Sequence, residues 1–413
     1  MVAVPRRLAE ELDATDPLAG FRDEFLITDP GLIYLDGNSL GRLPSATPAF
    51  LDTVVRDEWG TGLVRSWHTW IDWANRLGDR LAEHVLGAQP GEVVLSDSTT
   101  VNLYKLAAAA LAAAPERRTV VVDAEDFPTD RYVLEGLAAE RGLTVHALRS
   151  DLDTGLDLDQ LRAALDEDVA LVVLSHVSYR SGALLDMAAV NAAAHEVGAL
   201  VLWDLCHSAG AVPVRLTDSA ADLAVGCTYK YLNGGPGAPA FLYVRAELQP
   251  ALRQPIWGWF GQRDQFEMGQ HYDPVDQVDR FLVGTPPVLS LAAVDPALAL
   301  VARAGLPLIR EKSERLGQLV IDMVPDDMRL ASPADVGRRG GHVSLEHPDA
   351  WRICRALADS GIICDYRVPD RLRIGPSPLY TRFVDVWDAM DRLRDLVATK
   401  EYTRLPSERP RVT

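Results

Sequence analysis

Lys230 is the side chain in this sequence whose setting most asks for chemistry. It lies in ADLAVGCTYKYLNGGPGAPAFLYV, Ala221 to Val244, between two tyrosines and ahead of a loop rich in Gly and Pro. A lysine in a loop is ordinarily a surface charge. Here Asp222 to Cys227 reads as a short buried strand, and the glycines that follow let backbone pass close to another group. A lysine held beside a strand end in a partly dry pocket loses proton affinity and becomes a usable amine, of the kind that forms Schiff bases. Asp204 closes another apolar run, VLWD, with His207 three residues on. An Asp there serves equally as a cap for the next turn. It also suits a protonated pyridine nitrogen, which lets the ring accept electrons. Pyridoxal phosphate is a cofactor that asks for both groups at once.

Other polar clusters fit the same ligand. SDSTT, Ser96 to Thr100, precedes a helix expected from about Val101. Hydroxyls and N–H groups at a helix N-terminus make a phosphate site, although a plain cap uses the same residues. DFPTD brings Phe127, an aromatic able to stack on a ring, and Asp130, in what is otherwise a simple turn. SHVSYR contributes Ser175 and Tyr179, which also serve as ordinary loop residues.

These clusters need a scaffold that gathers them. From EVVLSD (92 to 97) to DLAVGC (222 to 227) short apolar runs alternate with helical patterns. This βαβ alternation implies a mostly parallel sheet covered on both faces. Ligands of such sheets bind at the carboxyl ends of the strands. SDSTT, DFPTD, SHVSYR, DLCH and TYKY all fall on that edge. Helices are expected over 6–26, 45–60 and 68–86. After Asp295 the pattern becomes that of a smaller α+β unit, which gives an N-terminal segment 1–50, a large unit 51–295 and a small C-terminal unit 296–413.

The chain has 413 residues and a formal charge of −18, which argues against a partner bound through nucleic-acid phosphates. Its four cysteines show neither CxxC nor zinc spacing, so no metal is expected and a reducing compartment suits them. The N-terminus turns charged too soon for a signal peptide. The longest Ala/Leu run, Leu106 to Ala114, is about half of a membrane span. A soluble cytoplasmic protein is the expectation.

The order STT, FPTD, S, DLCH, YK resembles the class V branch of the aspartate-aminotransferase-like pyridoxal phosphate enzymes. YLDGNSLGRLP, DSTTVNLYKL, FPTDRY, DLCHSAGAV, CTYKYLNGGPG, GWFG, FLVGTPP and RLRIGPSPLY sharpen this to kynureninase, over about residues 20 to 390. The resemblance implies the fold type I architecture, a mostly parallel central sheet flanked by helices with a smaller C-terminal α+β domain. It implies hydrolysis of L-kynurenine to anthranilate and L-alanine, or of 3-hydroxykynurenine, serving tryptophan breakdown, NAD supply or antibiotic precursors. It implies Lys230 as the Schiff-base lysine, Asp204 on the pyridine nitrogen with Asp130 close by, His207 at the ring edge and Phe127 stacked on the ring. Thr99, Thr100 and Tyr229 hold the phosphate, Ser175 contacts the cofactor, and Tyr229 acts as an acid. Trp259 and Thr285 complete the phosphate site from the other subunit of a homodimer. Arg373 takes the substrate carboxylate, a task that suits its two-pronged donor, while Ser39, Trp67 and Gly284 line the substrate pocket. Trp67 and Thr285, where animal members carry polar His and Asn, imply a preference for kynurenine. Gln262 departs from the family, where His is usual, and His176 has no implied role.

Two rival readings remain open at this point. A class V aminotransferase or cysteine desulfurase shares the fold, but a desulfurase needs a cysteine on a mobile loop. Cys354 and Cys364 sit in helix-like and strand-like patterns. A catalytically dead relative with a binding role is opposed by the intact Lys230 and Asp204.

Overall fold

A computed structural model describes residues 4–406 and 408. The ends of the first and last expected units, and the start of the charged N-terminus, lie outside the described residues. Helix α1, Arg6–Ala14, is followed by β1, Ile33–Tyr34, and then by α2, Thr47–Thr53, α3, Trp67–Trp70, and α4, Trp73–Leu81. The helix expected over 6–26 therefore stops at Ala14. Pro17 disfavours a helical conformation at Asp16, and a short 3₁₀ turn over Ala19–Glu24 covers the rest. The segment 45–60 is helical as expected but widens into a π-turn over Val54–Gly62. The segment 68–86 is broken at Ile71 and Asp72 and also ends in a π-turn.

The large sheet follows. Its strands are β2 (Val93–Ser96), β3 (Thr119–Asp123), β4 (Thr144–Leu148), β5 (Val169–Ser175), β6 (Leu200–Asp204), β7 (Leu223–Gly226) and β8 (Ala240–Val244). Helices α5 (Thr99–Ala113), α6 (Pro128–Arg141), α7 (Leu158–Ala164) and α8 (Met187–Glu196) connect them. The strand order is β2-β8-β7-β6-β5-β3-β4, with β8 alone antiparallel to its neighbours. The central strands are buried along their whole length, as continuous Val/Leu/Ala runs require of a sheet covered on both faces. This is the βαβ arrangement that the alternation implies, with β8 added by the AFLYV run.

Helices α9 (Val288–Ala304) and α10 (Leu306–Asp322) lead to β9 (Arg329–Leu330), β10 (Val343–Glu346), α11 (Ala350–Asp359), β11 (Ile362–Ile363), β12 (Asp365–Arg367), β13 (Arg371–Ile374) and α12 (Phe383–Thr399). The order β12-β13-β10-β9 makes a small antiparallel sheet. Asp295, where the sequence pattern changes, falls in the middle of α9. Leu291, Val294, Leu298 and Val301 of that helix, and Ile309 of α10, belong to the larger core. Leu316, Leu319 and Val320 belong to the second, so the core changes inside α10 instead. The N-terminal segment serves both, since Leu18 and Phe25 join the first core while Ala9 and Leu35 join the second. β1 pairs in parallel with β11, and Asp36 bridges to Gly375. No single helix among the described residues is long and apolar enough to cross a membrane. Together α9 and α10 reach that length only across an 82° bend.

Candidate active site

The carboxyl ends of β2, β3, β5, β6 and β7 lie along one edge of the large sheet and open onto a cavity of about 380 Å³. Its wall carries Thr99, Thr100, Phe127, Asp130, Ser175, Tyr179, Asp204, His207, Tyr229 and Lys230. Ten positions named from the sequence thus converge on one space.

Lys230 follows β7, and its Nζ lies 2.9 Å from His207 Nε2. The Asp36–Gly41 loop clamps this turn from outside. Gly41 N donates to Tyr229 O at 2.8 Å, and a Cβ at Gly41 would run into the Lys230 carbonyl oxygen. His207 is buried, its Nδ1 has no partner, and burial followed by the Lys230 charge holds it well below the ordinary imidazole range. The lowering favours the neutral ring, whose Nε2 is hydrogen-bonded to the lysine amine.

Asp204 ends β6 directly beside Ser175 of β5, and its Oδ1 accepts from Cys206 N at 2.7 Å. Asp130, in the first turn of α6, is buried with one carboxyl oxygen unpartnered. Burial, then the Asp204 charge, pushes its carboxyl well above the usual range. Asp126 behaves alike under burial and the Asp123 charge, and its Oδ2 accepts from Ser175 N at 3.0 Å. Two carboxyls raised by burial and by neighbouring charge, Asp130 and Asp126, thus crowd the sheet edge beside Asp204.

Helix α5 starts at the same edge. Its Ser98 cap accepts from Val101 N, and Thr99 and Thr100 are its first residues, so free donors and the positive end of the dipole face the cavity. Tyr229 is partly buried, and burial pushes its phenol far above its ordinary value, so it stays a proton donor. Phe127 is 46% exposed on the cavity wall and meets Tyr179 edge-on at 5.4 Å.

Arg373 and Ser39 stand behind the Tyr179 wall. The Arg373 guanidinium is buried on β13. Its Nε donates to Asp365 Oδ1 at 2.7 Å, its Nη2 to Asp365 Oδ2, and its Nη1 to Tyr179 O. Ser39 Oγ donates to Asp365 Oδ2 at 2.9 Å. Asp126 opens the DFPTD cluster without being singled out in it, and Asp365 carries no motif of its own; the sense of both comes from their partners.

Arg373 and Ser39 thus lie just off the cavity lining, and four further expected site residues also stand outside it. Trp67 packs edge-on against Trp70 at 5.6 Å. Gly284 borders open space, Thr285 is exposed, and Trp259 is 39% exposed against Phe260 and Phe266. Gln262 braces its own loop, where its Oε1 accepts from Asp273 N at 2.7 Å. His176 is buried beside Trp203, contacts Ser208 Oγ at 3.0 Å and is lowered to about 4 by burial, a packing role below the sheet edge.

Comparison with known proteins gives the family. Residues 309–393 match the family model of the kynureninase C-terminal domain. The chain is 45% identical over 406 residues to a kynureninase of Pseudomonas fluorescens, covering 95% of each chain. It is 44% identical over 410 residues to one of Burkholderia pseudomallei (strain 1106a), covering 96% of each. The chain belongs to the kynureninase family. Solved structures show the fold as well. A C-DES variant with glycine covalently linked to its PLP cofactor superimposes with a TM-score of 0.78 at 17% identity, covering 95% of this chain and 100% of that one. An apo cysteine desulfurase from Thermococcus onnurineus NA1 gives 0.78 at 19%, covering 97% and 99%. The fold is that of the fold type I enzymes, and the likeness to desulfurases stops there. Cys354 lies in α11 and Cys364 between two strands, both buried, so neither offers the mobile thiol that such an enzyme needs.

Proposed function

We propose that this chain is a kynureninase that uses pyridoxal 5'-phosphate to hydrolyse the Cβ–Cγ bond of L-kynurenine, giving anthranilate and L-alanine. One observation carries the reading. Lys230 and Asp204, on the ends of neighbouring strands, face one cavity in a chain related to kynureninases along nearly its whole length. The residues fit the cofactor: a lysine amine at one side, a buried carboxyl cluster with an unpartnered oxygen at another, and a helix N-terminus with two threonines at a third. When bound, the cofactor supplies a carbonyl that captures amines and a ring that accepts electrons.

The chain's own groups do the rest. Thr99, Thr100, the N-terminus of α5 and Tyr229 would hold the phosphate. Asp204, with Asp130 close by, would pair with the ring nitrogen, Phe127 would stack on the ring, and Ser175 would contact the cofactor. Lys230 moves the proton of the substrate α-carbon, with His207 Nε2 orienting its amine. Tyr229 donates protons. Arg373 and Ser39 hold the α-carboxylate. Water adds to the γ-ketone, and the bond to Cβ breaks.

Trp59, Leu63 and Val64 in one segment, and Trp257, Phe266 and Met268 in another, leave large apolar side chains exposed. We take these segments to be covered by a second copy. Such a homodimer lets Trp259 and Thr285 of one subunit reach the phosphate end of the other's site, and lets Trp67 and Gly284 line the substrate end. A cytoplasmic location completes the proposal.

Anthranilate fluorescence, followed after the loaded protein meets L-kynurenine or 3-hydroxykynurenine, tests the reaction. Faster release from L-kynurenine is expected, because Trp67 offers an apolar aromatic wall. Turnover of the hydroxylated substrate alone overturns the preference. Absence of both products overturns the reaction.

A further inference from the structure

Cys206 and Cys227 both belong to the cavity wall, yet no step of the proposed reaction uses a thiol. The register of the large sheet brings them together. Asp204 of β6 pairs with Val225 of β7, Leu205 N donates to Val225 O at 2.8 Å, and each cysteine lies two residues beyond its strand's member of that pair. Neighbouring strands run about 4.8 Å apart, inside the roughly 4.4–6.8 Å between Cα atoms that a disulfide accepts. The side chains also meet. The two free thiols hydrogen-bond each other, and Cys227 Sγ donates toward the Cys206 carbonyl oxygen at 3.8 Å.

Each thiol touches a group assigned above to the cofactor phosphate. Cys206 Sγ lies 3.6 Å from Thr99 Oγ1, on the first residue of α5. The Tyr229 phenol donates to the Cys227 sulfur. The turn that carries Cys206 is held in place as well, because its N–H donates to Asp204 Oδ1 at 2.7 Å.

A thiolate, not a thiol, is the form that attacks a peroxide. Burial opposes ionisation of Cys227, but the Cys206 thiol and the Lys230 charge outweigh it and bring Cys227 down to about 7. The Cys227 thiol and burial raise Cys206, so one sulfur is suited to attack and the other to resolve. Cys354 and Cys364 give a contrast within the same chain. Their thiols also hydrogen-bond each other, but both are buried in the second core and neither lines the cavity.

We infer that Cys206 and Cys227 form an oxidative modification site, where hydrogen peroxide entering the cofactor-free cavity joins them in a disulfide and spoils the phosphate seat. The Cys227 thiolate attacks one peroxide oxygen, the O–O bond breaks, and the departing hydroxide takes up the proton that the thiol lost. Cys206 Sγ then attacks the sulfenic sulfur of Cys227. The S–O bond breaks, and a second water leaves with the Cys206 proton. Two thiols are oxidised to one disulfide, and one peroxide is reduced to two waters. The new bond draws the sulfurs away from Thr99 Oγ1 and Tyr229 OH. This effect on the cofactor rests on the functional reading given above, whereas the sulfur link does not.

The test treats the full chain with hydrogen peroxide, with and without pyridoxal phosphate bound, and maps its peptides without reduction. In the cofactor-free chain the Cys206 and Cys227 peptides should appear joined, two hydrogens lighter than their sum, while Cys354 and Cys364 stay free. Bound cofactor should prevent the link. The oxidised chain should take up pyridoxal phosphate, read by its absorbance, on the order of ten-fold more weakly, and a thiol reductant should restore uptake. Cys227→Ala should show the same uptake before and after peroxide. Cys206 and Cys227 left free, or oxidised singly without joining, overturn the inference, as does a link confined to Cys354 and Cys364. A Cys206–Cys227 link that leaves uptake unchanged overturns the effect on the phosphate seat. If the untreated protein takes up no cofactor, the functional reading fails and that effect with it, while the peptide map still decides the link.

Discussion

At the scale of single residues, the cavity is built from groups whose protonation is set by burial and by one another. Tyr229 shows this most simply. Its phenol is held far above its ordinary value by burial, it stands one residue before Lys230, and it faces the helix end proposed for the phosphate. A phenol that keeps its proton there is a donor rather than a base. Tyr229→Phe should therefore slow turnover on the order of 10²-fold while cofactor absorbance after loading stays at the wild-type level. An unchanged rate would remove Tyr229 from the proton path, and lost absorbance would make it a cofactor ligand only. Lys230, Asp204, Thr99 and Phe127 were legible in the sequence because each ends a strand or opens a helix, where side-chain type alone is informative. Asp365 was not, because it acquires meaning only from Ser39, 326 residues away.

At the scale of elements, the alternation of apolar runs and helical patterns read the central sheet well, because buried parallel strands are continuous Val/Leu/Ala runs. Helix limits read less well wherever a proline or a wide turn intervened, as at Pro17 and at Val54–Gly62. The loop after β1 could not be read at all as a tie between units, since β1 is two residues long and pairs with β11. That loop carries Asp36, whose Oδ1 is buried without a partner. Burial, then the charge of Asp365, pushes its carboxyl from an ordinary 3.8 up to about 7. The sign follows directly. Between those values the folded chain holds a proton that the unfolded chain has lost, so this group's contribution to stability falls as pH rises through the window and is constant above it. Asp36→Asn removes the titration while keeping the shape. Its melting temperature relative to wild type should therefore climb from about pH 4.5 to about pH 7.5. A difference independent of pH would show that Asp36 ionises freely in the folded protein.

At the scale of the whole molecule, the single chain holds the cofactor pocket's lysine, carboxylates and helix end, yet leaves Trp67, Trp259, Gly284 and Thr285 outside it. The exposed aromatic segment around Trp257 and Trp259 argues for a second copy, and a shared site makes a demand that a mere contact does not. Suppose Lys230→Ala and Trp259→Ala are each nearly inactive alone. In a mixed dimer, the site built on the intact Lys230 receives its tryptophan from the Lys230→Ala subunit, which still carries it. The other site has lost both groups. Unfolding and refolding the two variants together should then give mixed dimers as half of the population, each with one sound site, and so restore about a quarter of wild-type activity. If Trp259 served its own chain's site, each mixed dimer would hold one site without Lys230 and one without Trp259, and activity would stay at the parental average. The mixing experiment thus separates a site completed across the interface from two independent sites in subunits that only touch.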